Sequence, residues 1–229
     1  MKIAIIPARG GSKRISNKNI KKFKGSPIIA WPLLAVKNTK LFDKVIVSTD
    51  SKEIAKIAKK LKAEVPFIRP KKISGDHAST SSVIKHAVDW LKTKKIHPKF
   101  ICCIYPTAAF IDPKDLIEGY KKIKTLKWDY VFSGGKFYSS ILRSFKKNNF
   151  NGLKMIFPKY YNKRTQDILE AYHDAGQFYW GKVESWSKQK PIFAKKSCII
   201  EIPRWRIHDI DTIDDWKIAE KMWKHRKLK

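Results

Sequence analysis

Short, densely apolar runs alternate with longer amphipathic ones along the chain, and that rhythm predicts most of its elements. Ile3 to Ile6 is apolar at every position and is closed by Pro7, the pattern of a buried strand that empties into a loop. Pro27 to Asn38 is mostly apolar and predicts a helix packed on a sheet. Pro32 falls inside it, so either the helix begins near Trp31 with the proline in its first turn, or it is kinked. Lys44 to Ser48 predicts a second strand. Thr49-Asp50-Ser51 then caps a helix whose Ile54, Ala55, Ile57, Ala58 and Leu61 keep helical spacing. Strand, helix and strand in this order argue for a parallel sheet.

Farther on, Glu64 to Ile68 reads as a third short strand that runs into Arg69-Pro70. The polar cluster Ser74 to Ser81 precedes an amphipathic helix, Ser82 to Lys92. Lys99 to Tyr105 is apolar with β-branched and aromatic residues, as a central strand buried on both faces would be. Asp112-Pro113 is an N-cap with proline at the first helical position, and it opens a helix from Lys114 to Lys124. Tyr130 to Ser133 is a further strand. From Gly134 to about Pro191 the rhythm breaks into aromatics, asparagines and short strand signals, with no clear crossover helix before Glu184 and an alternating stretch after Gly176. A closing helix is predicted from Asp214 to Lys227.

Composition bounds what such a chain can be. Its 229 residues suit one domain able to bury a real core. No apolar run approaches the eighteen or so residues of a membrane span, and Met1 leads straight into the first strand, so the expected location is the cytoplasm without membrane contact. Cys102, Cys103 and Cys198 lack metal-ligand spacing and are expected to be reduced and buried. The formal net charge is +30, yet only eight of the 50 basic residues are arginine. A nucleic-acid reader would use more arginine for bidentate contacts. Lysines spread along the whole chain read as a solvated surface that attracts anions, with no specific nucleic-acid partner expected.

Candidate chemistry concentrates where the predicted strands end. After the first strand, Gly10 and Gly11 remove side chains, Ser12 offers a hydroxyl, and Arg9, Lys13, Arg14 and Lys18 supply cations, a set that suits a polyphosphate at the carboxyl edge of a sheet. Neither a P-loop nor a Gly-x-Gly-x-x-Gly pattern fits these glycines. The plainer reading is a surface turn in a basic protein. Hydroxyls at the start of the Ser82 helix suit an anion or a base edge, although capping by Ser79 or Thr80 explains one of them. In Arg204-Trp-Arg-Ile-His-Asp-Ile-Asp-Thr212, a strand would send Asp209 and Asp211 to one face. Two such oxygens suit Mg²⁺ shared with a triphosphate; alternatively Asp211 caps the closing helix.

Ile-Pro-Ala-Arg-Gly-Gly-Ser-Lys at 6–13, followed by Asn-Lys-Asn at 17–19, resembles the signature loop of the cytidylyltransferases that activate nine-carbon sialic-type sugars. Four or more motifs match in order, from Ile3 to Asp215. The resemblance implies a three-layer α/β/α nucleotidyltransferase fold with a mostly parallel sheet, and an inserted arm at about 134–191 that joins two subunits of a homodimer. It implies CTP held by Arg9, Gly10, Gly11, Ser12, Lys13, Lys18 and Asn19, with Arg69, Asp76, Ser79 and Thr80 closing around the cytidine. Asp-Ile-Asp matches the family's metal residues, so Asp209 and Asp211 are expected to hold Mg²⁺, or Mn²⁺, and to act in catalysis with Arg9, Lys13 and Lys18.

Within that family, Tyr105 ahead of Pro106-Thr107, where relatives usually have Gln-Pro-Thr, and Ala-Tyr-His-Asp-Ala-Gly-Gln-Phe-Tyr-Trp-Gly181 resemble the branch acting on pseudaminic acid. Sugar contacts are then expected from Tyr105, Thr107, Gln166, His173, Asp174 and Gln177. The runner-up sugars are N-acetylneuraminic and legionaminic acid. A nucleic-acid-binding module is the rival reading from charge alone.

Overall fold

The computed structural model describes residues 1–224, and its organising strand is β1, Lys2–Pro7. Ile3, Ala4, Ile5 and Ile6 are all fully buried, so β1 is covered on both faces. Each such isoleucine contributes roughly 1.5–3 kcal/mol by leaving water. Two short strands follow, β2 (Lys22–Phe23) and β3 (Ser26–Pro27), then helix α1 (Ala30–Thr39), β4 (Lys44–Ser48) and α2 (Lys52–Lys60). Next come α3 (Thr80–Thr93), β5 (Phe100–Ile104), α4 (Pro113–Ile123) and β6 (Tyr130–Lys136). The hairpin β7 (Phe145–Lys147) and β8 (Leu153–Met155) precedes β9 (Tyr172–Lys182), α5 (Val183–Ser187), β10 (Ser197–Glu201) and α6 (Ile213–Trp223).

Six strands form the main sheet in the order β10-β6-β9-β5-β1-β4. β1 pairs in parallel with β4 and β5, and β10 with β6; β9 runs antiparallel to both its neighbours, β5 and β6. The sheet is therefore mostly parallel, as expected. Ala4 and Ile6 of β1 pack in one apolar cluster with α1, α2 and α4, while Ile3 and Ile5 pack in a second with α3 and Trp186 of α5. Alternate side chains of one strand thus join two helical layers, which makes the three-layer α/β/α arrangement. A third cluster forms beyond the carboxyl ends of the strands, where Phe23, Phe110 and Trp216 enclose Ile15 and Ile210.

Several local expectations are corrected. Pro27 belongs to β3, and α1 starts at Ala30 with Pro32 in its first turn, where the missing N–H leaves no vacancy. Glu64 to Ile68 makes only two isolated bridges, Glu64 with Ile46 and Ile68 with Thr49. Pro66 stands between them and cannot donate to a ladder. α3 begins two residues earlier than Ser82, at Thr80, and is capped by Ser79. Residues 207–211 are irregular rather than a strand, since the chain turns in a short 3-10 helix at Arg204–Arg206 after Pro203. The closing helix is capped by Thr212, not Asp211, in a capping box with Asp215. Its predicted end at Lys227 lies outside the described residues.

Between Gly134 and Pro191 the chain divides. β9 is a central strand followed by α5, and residues 137–171, which carry the β7–β8 hairpin, leave the sheet between β6 and β9. Cys102 and Cys103 are buried free thiols, with burial raising both pKa values, and Cys198 is a half-buried free thiol.

Candidate active site

A cleft of about 370 Å³ opens at the carboxyl ends of β1 and β5. β1 lies between β4 and β5, so successive strands leave it in opposite directions, and this is the topological switch point where open α/β sheets bind ligands. One wall is the loop after β1, which contributes Arg9, Ser12, Lys13, Arg14, Lys18 and Asn19. The opposing wall brings Asp209 and Asp211; Tyr105 and Thr107 line the cleft at the end of β5. Residues 69–80 form its rim through Arg69, Asp76 and Thr80.

Apart from one 3-10 turn at Lys18–Ile20 the loop has no regular structure, and side-chain bonds from within it and from the next strand's end hold it. The Gly10 N–H donates to Asp50 Oδ1 at 2.8 Å, and Asn19 Nδ2 donates to the Arg9 carbonyl at 2.9 Å. A Cβ on Gly10 would meet Ser51 Cβ at 3.0 Å, which explains the glycine; a Cβ on Gly11 would meet nothing within 4 Å. Asp50 was read from the sequence only as part of a helix cap. Ser51 does the capping, and Asp50 anchors the loop while facing Arg69 Nη2 at 4.0 Å. The available signal was its place at the carboxyl end of the strand beside β1.

Charges pair across the cleft. Lys18 Nζ donates to Asp211 Oδ1 at 3.0 Å and to the Ile210 carbonyl at 2.8 Å, and Arg14 Nη2 meets Asp211 Oδ2 at 2.8 Å. Arg14 joins the site as a partner that the expected nucleotide set omits. Ile210 is fully buried in the third apolar cluster, and anchoring it there places Asp209 and Asp211 on the cleft side. The two carboxylates reach one surface without a strand. Desolvation and then the Asp211 charge push the Asp209 pKa up, and among the described residues its carboxylate has no hydrogen bond or ion pair.

On the rim, Asp76 accepts from Arg9 Nη1 at 2.6 Å and from Lys13 Nζ at 2.8 Å. Hydrogen bonds from Lys13 and then Arg9 hold its pKa at about 2. Arg69 is buried, with its Nε donating to Ser74 Oγ at 3.1 Å; burial pulls its pKa down against the opposing pull of Asp50. Thr80 Oγ1 and the Tyr105 hydroxyl share a hydrogen bond of 2.9 Å, whereas Ser79 spends its hydroxyl on the Ser82 N–H and stands outside the main cleft.

The expected sugar residues separate. Tyr105 lines both the main cleft and a second recess that reaches Asp174, Tyr179 and Phe193, and burial raises its pKa. Thr107 lines the main cleft. Asp174 accepts from the Tyr179 hydroxyl in the recess. His173 packs on Phe137 with ring centroids 4.8 Å apart, and Gln166 lies exposed in a 3-10 turn at Thr165–Asp167. Neither lines the cleft or the recess. Gln177 is only 2% exposed and donates inward to the Arg206 carbonyl at 2.6 Å, so its amide is turned away from any ligand.

A family model described as cytidylyltransferase matches residues 3–225. The chain belongs to that family and is a nucleotidyltransferase. It is 38% identical over 97% of its length to the pseudaminic acid cytidylyltransferase of Campylobacter jejuni, covering 96% of that protein. It is 31% identical over 95% of its length to the N-acylneuraminate cytidylyltransferase of Escherichia coli, covering 51% of it. Among solved structures, a CMP-2-keto-3-deoxy-manno-octonic acid synthetase complexed with CTP superposes at a TM-score of 0.71, over 98% of each chain with 12% identity, a likeness of fold. No helix among the described residues is long and apolar enough to cross a membrane.

Proposed function

We propose that the protein transfers CMP from CTP to the anomeric hydroxyl of pseudaminic acid, releasing pyrophosphate. The observation that carries this reading is the opposition, across one cleft at the switch point, of the Arg9–Lys18 cationic loop and the Asp209–Asp211 pair. Arg9, Ser12 and Lys13 bind the triphosphate, which displaces Asp76 from Arg9 and Lys13, and Arg69 and Thr80 border the nucleoside. Tyr105 stands where cleft and recess meet, and the sugar acid lies along it. The hydroxyl attacks the α-phosphorus as the bond to the pyrophosphate oxygen breaks. Catalysis of this type rests on positioning and charge neutralisation.

The donor set fits a hard divalent cation. Two carboxylates share one surface, Asp209 has no hydrogen bond or ion pair among the described residues, and its pKa is raised by desolvation first and by the Asp211 charge second. Among the described residues no group of three or more acidic, histidine or cysteine side chains is placed to hold a metal, and in this reading the remaining ligands would come from substrate and water. Asp209 and Asp211 would hold Mg²⁺ or Mn²⁺, which would supply Lewis-acid stabilisation of charge on the phosphate. Before that, Lys18 and Arg14 hold the Asp211 carboxylate aimed into the cleft.

Assembly as a homodimer through residues 137–171 and a cytoplasmic location complete the proposal. The test is pyrophosphate release from CTP and Mg²⁺ with pseudaminic, legionaminic, N-acetylneuraminic and ketodeoxyoctonic acids in parallel. Release with pseudaminic acid well above the others is the expected result. Preference for another acid reassigns the sugar, and silence across all four with salt-sensitive RNA binding overturns the enzymatic reading.

A further inference from the structure

The carboxylate segment 207–211 has no ladder or helix to fix it, yet its two aspartates must be aimed. Downstream, the capping box holds it, with the Asp211 N–H donating to Asp215 Oδ2 at 3.1 Å. Upstream, the turn at Arg206 is gripped twice. The Arg206 guanidinium forms a two-pronged pair with Asp115 in the first turn of α4, at 2.5 and 3.3 Å, and both side chains are nearly buried, at 12% and 14% exposure. Its carbonyl accepts from Gln177 Nε2 at 2.6 Å. Gln177 is itself tied into the sheet, since its backbone carbonyl accepts from the Tyr105 N–H at 2.9 Å and its own N–H donates to Ser133 Oγ at 3.2 Å.

We propose that Gln177, Arg206 and Asp115 are positioning residues that set the direction of the Asp209–Asp211 segment. Resting on the reading of the cleft given above, this makes one residue, Gln177, a mechanical link between the Tyr105 side of the site and its carboxylates. The selection of a glutamine here has a specific cost. Its Oε1 is buried without a partner among the described residues, although an unpaired buried carbonyl is destabilising. A methionine of similar shape would remove that orphan along with the donor, so stability alone does not explain the amide. Gly135 leaves room beside the same turn for the end of the Ile207 side chain, whose Cδ1 a Cβ there would meet.

Gln177→Met is the decisive variant, with Asp115→Asn and Arg206→Lys beside it, because its lost donor and lost orphan offset each other and the fold should persist. Three readouts are taken on the full chain: melting temperature, kcat and KM for CTP across a Mg²⁺ titration, and amide hydrogen exchange of residues 207–212 without ligand. The expected result is a melting temperature near the parent's, faster exchange in 207–212, and a Mg²⁺ requirement or kcat poorer by about 10–100-fold, the usual scale for partners that orient metal ligands. KM for CTP should move less than threefold, and Arg206→Lys, which keeps one charged prong, should lose less than Asp115→Asn.

Unchanged exchange and an unchanged Mg²⁺ curve in Gln177→Met overturn the proposal even if the parent enzyme is active. If instead the parent releases no pyrophosphate with any sugar acid, the reading of the cleft falls, and hydrogen exchange alone still decides whether the three residues hold the segment.

Discussion

The loop after β1 and the excursion after β6 are both largely irregular and both carry basic side chains, but they are held in opposite ways. In the loop, bonds come from distant elements: Asp50 takes the Gly10 N–H, Asp211 takes Lys18, and Ile15 is 2% exposed in the aromatic cluster beneath α6. In residues 137–171 the bonds are mostly local, such as Asn148 Oδ1 with the Phe150 and Gly152 N–H groups, and Arg164 with Asp167. Apolar side chains there are left in water, with Tyr138, Phe150 and Leu169 at 81%, 92% and 79% exposure. Irregular chain becomes a rigid site when remote side chains hold its backbone. Where they do not, apolar groups stay exposed, and the proposed dimer contact rests on that surface.

The contrast breaks most severely at Asp211. Asp211→Ala removes the anchor of both Lys18 and Arg14 and one of the two cleft carboxylates together. Turnover should fall by at least about 100-fold, the scale for losing one preorganised charge partner. Pyrophosphate release at saturating Mg²⁺ measures it, and near-parental turnover would detach this wall from the chemistry. On the other side of the comparison, Phe150→Glu with Leu153→Glu should shift sedimentation from dimer to monomer. The melting temperature of the monomer should stay within about 2 °C of the parent monomer's, because exposed-surface substitutions rarely exceed half a kcal/mol. A monomeric parent, or an unmoved dimer, would assign those side chains another role.

Much of this architecture was legible in the chain. The unbroken apolar run of β1, the glycine-bearing loop after it and the capped helices follow from local pattern, and local pattern is what a sequence displays directly. What escaped depends on pairing across long separations. Gln177 was expected at the sugar, since alternation marks a strand without telling which neighbours it has. Inserted antiparallel between β5 and β6, β9 turns that amide toward Arg206, 29 residues away. Asp50 and Asp115 look like ordinary residues of helix starts until the loop and the 206 turn arrive beside them. Asp209 and Asp211 were placed on one face for a strand that does not form; the buried Ile210 between them is the physical reason that they share it.

The smallest effect expected concerns α3, where His86 packs against Phe67. Its ring meets Phe67 edge-on with centroids 4.8 Å apart, and its Nδ1 is buried without a partner among the described residues. Burial, followed by the charge of Arg69, lowers its pKa below the ordinary 6.5; Lys72 acts the same way, and Asp89 opposes them. The folded protein therefore binds this proton less readily than the unfolded chain does. The stabilisation it represents is full above the unfolded pKa and is lost as pH falls through 6.5 toward the lower folded value. His86→Phe keeps the edge contact and cannot titrate. Between pH 7.5 and 5.5 the parent should lose more melting temperature than the variant does. Parallel curves would mean that the imidazole is solvated as freely in the fold as out of it, and that the packing of α3 against Phe67 does not reach its nitrogen.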